Sequence, residues 1–88
     1  MTTSELYRAL EEGLEIAESG SPEEITNWYR QRFEPLWRVL YPVGATRDAF
    51  GYDCDRVANN ISYISSFPQK KDAFLREAHK IFEGLQKP

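Results

Sequence analysis

Cys54 sits between two carboxylates in the run Asp53-Cys54-Asp55, and His79 lies in Ala78-His79-Lys80. Thiol, imidazole and carboxylate are the groups that carry nucleophilic, acid–base and metal-ligating chemistry. Their spacing argues against each use. Carboxylates two positions apart on a helix point about 200° apart, so Asp53 and Asp55 cannot share an ion that needs several convergent oxygens. Cys54 follows Phe50 by four residues and precedes Val57 by three, which places it on an apolar seam as a small buried hydrophobe rather than an activated thiolate. His79, the only histidine, fits a surface or boundary position near a helix C-terminus, where an imidazolium complements the helix dipole. Asn60-Ile61-Ser62 matches a glycosylation sequon but falls inside a helical pattern, and the five glycines are scattered singly, so no phosphate loop is present. The sequence points to no cofactor, no metal and no catalytic constellation.

Binding surfaces are better supported. With the seam of Phe50, Cys54, Val57, Ile61 and Ile64 turned inward, Tyr52, Arg56, Asn59 and Tyr63 fall together on the opposite face at about 100° per residue. Tyrosine and arginine are enriched among interface hot spots, and tyrosines can flank an arginine by stacking on it. A second surface is acidic: Glu5, Glu11, Glu12, Glu15 and Glu18 share one broad side of the first helix, with only Arg8 among them. Such a run is ordinarily a solvated face. Its functional alternative is a ridge that docks a basic protein or mimics nucleic-acid phosphates.

The stretch WYRQRFEPLWRVLY, residues 28–41, holds five aromatics, three arginines and a proline. Wound as one straight helix, Ile25, Trp28, Tyr29, Phe33, Leu36, Trp37, Leu40 and Tyr41 spread over about 220°, when one core-facing stripe needs little over 100°. One neighbour cannot cover that arc. Either the helix packs on two sides, or Pro35 bends it so that its halves meet different neighbours, or part of it awaits a partner. Residues 25–33 read as core, and Trp37 and Tyr41 beyond Pro35 as the part that meets something else. Arg32 lies within the arc, with its stem set to pack there and its head to stack on Trp28 or meet Glu24 or Glu34.

Four helical segments must position these residues. Ser4 is a suitable N-cap for a helix over residues 5–18, which Ser19-Gly20 closes. Ser21-Pro22-Glu23-Glu24 is a capping box with proline at the first helical position, opening a helix over 22–40 with a kink or break near Glu34 imposed by Pro35. A third helix spans 48–65 with Thr46 or Asp48 as cap, and a fourth spans 69–84 with Phe74, Ala78, Ile81 and Leu85 inward. No period-two alternation appears. The expected fold is all-α, a single domain over residues 1–88 built as a compact antiparallel three- or four-helix bundle with a proline-kinked second helix.

Composition bounds the rest. The net charge is −3, and residues 1–44 carry eight acids against four arginines while residues 45–88 carry six acids against seven bases. An acidic chain is a poor nucleic-acid binder, because phosphate contacts need a clustered positive field. A single cysteine excludes an intramolecular disulfide and suits a reducing compartment. The N-terminal run has no basic n-region and no continuous apolar stretch, so neither signal peptide nor membrane span is expected. Together these point to a cytoplasmic, non-enzymatic module such as an adaptor, chaperone-like subunit or inhibitor, which contacts another protein through Trp37, Tyr41, Tyr52, Arg56, Asn59 and Tyr63. Homodimerisation is one way to cover surplus apolar arc in so small a chain. An acidic decoy acting through the first helix is the alternative within binding. A small enzyme or ligand-binding bundle, needing a cavity lined by Cys54, His79 or the tyrosines, is the alternative outside it.

Overall fold

Ser21 and Glu24 form the capping box that their spacing predicts: the Ser21 hydroxyl accepts from the Glu24 amide at 3.2 Å, and Oε1 of Glu24 accepts from the Ser21 amide at 3.1 Å. The computed structural model describes residues 3–85 and Lys87. Its elements are α1 (Thr3–Ser19), α2 (Pro22–Trp28), a π-turn (Tyr29–Phe33), α3 (Glu34–Leu40), α4 (Ala49–Ser66), a 3₁₀ turn (Pro68–Lys70) and α5 (Lys71–Glu83). Ser4 lies inside α1 and is not its cap. Asp48, rather than Thr46, caps α4, its Oδ1 accepting from the Gly51 amide at 2.8 Å. All the described secondary structure is helical, and among the described residues no helix is long and apolar enough to cross a membrane.

Pro35 does not break the second helix. Residues 22–40 stay helical throughout, and the chain changes its winding one turn earlier instead. Within the π-turn the Glu34 amide bonds to the Tyr29 carbonyl five residues back. Widening that turn accommodates a ring that has no N–H and crowds the carbonyl before it. It also answers the problem of the wide apolar arc. A turn closed over five residues instead of four takes up one residue, so everything beyond it is set back by about 100°. The eight apolar residues from Ile25 to Tyr41 then span about 140° rather than about 220°. One face suffices: Ile25, Trp28, Phe33 and Leu36 are buried, and Tyr29, Trp37, Leu40 and Tyr41 are half-buried against them.

The core forms where this face meets Leu6, Ala9, Leu10, Leu14 and Ala17 of α1 and Cys54, Val57, Ala58, Ile61 and Ile64 of α4. The α4 seam is thus as its spacing predicts, although α5 contributes only Ala78 to the fully buried set. Two pairs run antiparallel, α1 with α5 and the second helix with α4. Tyr7 stacks on Phe82 while Glu18 receives Lys71, and Thr26 meets Ser65 while Tyr41 reaches Asp48. The radius of gyration, 12.2 Å, equals the value of about 12 Å expected for a compact chain of this length. Among the described residues no buried side-chain nitrogen or oxygen lacks a hydrogen-bond partner.

Candidate functional site

Because α4 turns Gly51, Cys54, Val57, Ala58, Ile61 and Ile64 inward, its outer face is left to Tyr52, Arg56, Asn59 and Tyr63. Tyr52 is 59 % exposed and Tyr63 47 %, about 16 Å apart along the axis at 1.5 Å per residue. The arginine between them is not sandwiched by the rings as expected. It turns to Asp53 at 3.7 Å and Glu77 at 3.9 Å, and no stacking of Arg56 on a tyrosine is found among the described residues. Such exposed pairs contribute little and leave the guanidinium available.

The stripe continues where the sequence did not suggest it. Tyr63 stacks on Phe74 with centroids 5.5 Å apart, Phe67 lies 6.4 Å from the same ring, and Lys70 stands over Phe67 at 6.0 Å. Phe67 is 47 % exposed. An aromatic in the turn Ser66-Phe67-Pro68, where no helical pattern requires one, was the available signal.

Trp37 and Tyr41, expected to face outward beyond Pro35, are built into a second assembly. A ladder of rings runs through Trp28, Phe33, Trp37 and Tyr41, with successive centroids 5.8, 5.7 and 4.6 Å apart. Tyr41 packs on Gly51, where a β-carbon would come within 3.0 Å of its ring, and its hydroxyl donates to Oδ1 of Asp48 at 2.8 Å. Burial, then that bond, pushes the Tyr41 hydroxyl up to about 12. The Gly51 amide and the Tyr41 hydroxyl together hold the Asp48 carboxyl below its usual range. Burial, with Asp55 next in effect, raises Tyr29 as well. The loop after Tyr41 then brings Arg47 back: its guanidinium carbon lies 5.2 Å from the Trp37 centroid and Nη1 sits 3.0 Å from Oδ2 of Asp55.

The acidic ridge is divided among partners. Glu12 takes a two-point contact from Arg32, Nε to Oε2 at 2.8 Å and Nη2 to Oε1 at 3.0 Å. Arg32 therefore meets α1, not Glu24 or Glu34, because the π-turn aims it across the helix pair. Glu18 faces His79 at 3.4 Å, which sets the histidine against α1 rather than against its own helix end. Glu5, Glu11 and Glu15 are exposed.

Cys54 is fully buried, and burial, helped by nearby Asp53, Asp48 and Asp55, pushes its thiol up to about 12. Asp53 and Asp55 part as expected, one to Arg56 and the other to Arg47. Asn60 of the sequon triplet donates to the Arg56 carbonyl at 2.9 Å. Among the described residues no three His, Cys, Asp or Glu side chains are placed to hold a metal ion together. The chain matches no family model, no curated protein and no solved structure.

Proposed function

We propose that the chain is a small, non-enzymatic protein-binding module, an adaptor, chaperone-like subunit or inhibitor acting in the cytoplasm, whose contact surface is the outer face of α4. Tyr52, Arg56, Asn59 and Tyr63 form that surface, and Phe67 extends it across the turn into α5. One observation carries the proposal: Tyr52, Tyr63 and Phe67, all large and apolar, are 59, 47 and 47 % exposed on the α4 side and its following turn. Scattered apolar side chains are ordinary on a small domain, whereas a grouped aromatic stripe with cations at its rim has the composition of a hot spot.

The test is capture of partners from a cell extract by the parent chain and by the triple variant Tyr52→Ala, Arg56→Ala, Tyr63→Ala. All three sites lie outside the core, so helicity should persist and the melting temperature should move by only a few degrees. Captured proteins should disappear; their retention overturns the proposal. Capture should also survive raised salt. A complex built on the acidic ridge would instead dissolve at high ionic strength. Self-association through the stripe would appear as a concentration-dependent mass that the triple variant abolishes.

A further inference from the structure

We propose that Trp37, Tyr41 and Asp55 form a receptor for an arginine side chain of a partner protein, and that Arg47 is an internal occupant holding it closed. The inference rests on the reading of the chain as a binding module and specifies what the partner contributes.

Arg47 is bound in the way a foreign guanidinium would be. It lies over the indole of Trp37 at 5.2 Å and donates from Nη1 to Asp55 at 3.0 Å, so the site offers a ring face for the cation and a carboxylate for its N–H groups. A planar, weakly hydrated guanidinium satisfies both at once, which an ammonium does less well. The receiving walls are fixed without Arg47. Trp37 is backed by Phe33 and Tyr41, Tyr41 is held on Gly51 and tied to Asp48, and Asp55 is carried by α4. Only the cation comes from the loop.

That loop is anchored weakly elsewhere. Its tip is a turn over residues 42–45, closed by the Ala45 amide on the Pro42 carbonyl at 2.9 Å. Gly44 takes φ +88°, the left-handed value that the third residue of a type II turn requires. Val43 beside it is 97 % exposed, and the Arg47 side chain is itself 46 % exposed. Swinging residues 42–47 outward uncovers the indole face and Asp55 without disturbing a helix. The groove alongside, about 590 Å³ with the loop in place, is lined by loop residues 42–45 on one side and by Tyr29, Glu34 and Arg38 on the other. Asp55 lies three residues after Tyr52 and four before Asn59, so a partner seated on the α4 stripe is adjacent to the opening.

An internal ligand lowers apparent affinity by the fraction of molecules in which the site is open. An acetylated hexa-arginine peptide is the probe, with hexa-citrulline as its uncharged counterpart, both titrated into the full chain by NMR. The two tryptophan indole N–H signals report separately, and Trp28, bonded to the Ala9 carbonyl, is the internal reference. In Arg47→Ala and in Arg47→Gln, hexa-arginine should bind about tenfold tighter than to the parent, as removal of a competing ligand demands, shifting Trp37 and leaving Trp28 in place. Adding Asp55→Asn should cancel the gain, and hexa-citrulline should not bind. Two loop variants guard against a change specific to alanine. Equal affinity in parent and both variants, binding that leaves Trp37 unmoved, or retention of the gain with Asp55→Asn overturns the proposal. No native partner enters this titration, so its outcome is independent of the capture experiment.

Discussion

The indole of Trp28 fills the space that Gly13 leaves by having no side chain: a β-carbon there would come within 3.0 Å of three atoms of the ring. The same indole donates from Nε1 to the Ala9 carbonyl at 2.8 Å, one turn earlier in α1. A glycine in mid-helix ordinarily costs about 1 kcal/mol against alanine, so its presence here is a packing requirement. It lets α2 approach α1 closely enough for a tryptophan to be both buried and hydrogen-bonded.

Gly13→Ala should therefore destabilise the protein despite the gain in helix propensity. The rigid ring must move, and overpacking of this kind costs about 1–3 kcal/mol, or a fall in melting temperature of roughly 4–8 °C for each kcal/mol. Gly84→Ala, where the nearest atom to a β-carbon is 3.4 Å away, is the control and should leave the melt almost unchanged. Thermal unfolding followed by circular dichroism decides the matter; equal melts for the two variants would refute the packing argument.

Cys54 should resist thiol reagents in the native state. Its thiol is fully buried, and burial also pushes it up to about 12, so modification should require unfolding and should accelerate steeply through the denaturant transition. A buried thiol kept neutral stabilises the fold fully below its unfolded pKa near 9 and loses that contribution as pH rises beyond it. Fast labelling at pH 7 without denaturant would contradict the buried placement.

Glu12 gives an acid-side dependence of opposite sign. The bond from Arg32 holds its carboxyl below 4.5, so its contribution is present at neutral pH and is lost as pH falls through its folded-state value. Both side chains are more than a third exposed, and solvent screening limits the pair to about 1 kcal/mol or less. Glu12→Gln should lower stability slightly at pH 7 and flatten the decline on the acid side, where the parent carboxyl also becomes neutral. Parallel stability curves for parent and variant would show that the pair contributes nothing.

Phe67→Ala tests the extension of the α4 stripe. The ring is nearly half exposed, so stability should change by about 0.5 kcal/mol or less while partner capture weakens with the Tyr52 and Tyr63 variants. A large loss of stability would reassign Phe67 to the core, and undiminished capture would confine the contact to α4.

Much of this organisation is legible locally. The Ser21 capping box, the Asp48 cap and the seam from Cys54 to Ile64 depend on residues within a turn or two of one another, and each forms as its spacing indicates. The grouping of Tyr52, Arg56, Asn59 and Tyr63 follows from the same periodicity. What spacing does not reveal is the choice among distant partners. Arg32 has acids nearby in sequence at Glu24 and Glu34, yet it meets Glu12 twenty residues away because that is where the π-turn points it. Arg47 has no pattern around it at all, and its seat between Trp37 and Asp55 exists only once the loop after Tyr41 folds the chain back. The excessive apolar arc was a visible symptom of the π-turn, but a regular α-helix was the wrong ruler with which to measure it.

That turn has a consequence for chain length. Since Tyr29–Phe33 holds one residue more than a regular turn needs, the two halves of the second helix are in phase with an ordinary α-helix that is one residue shorter. Deleting Gln31, which is exposed, should allow the segment to rewind as α-helix while Ile25, Trp28, Leu36 and Trp37 keep their faces, the cost being the crowding of Pro35 against the carbonyl one turn back that the wide turn relieves. A single-residue deletion inside a helix ordinarily rotates one half out of the core. Here it should be the milder change, and a one-residue insertion at the same place the damaging one.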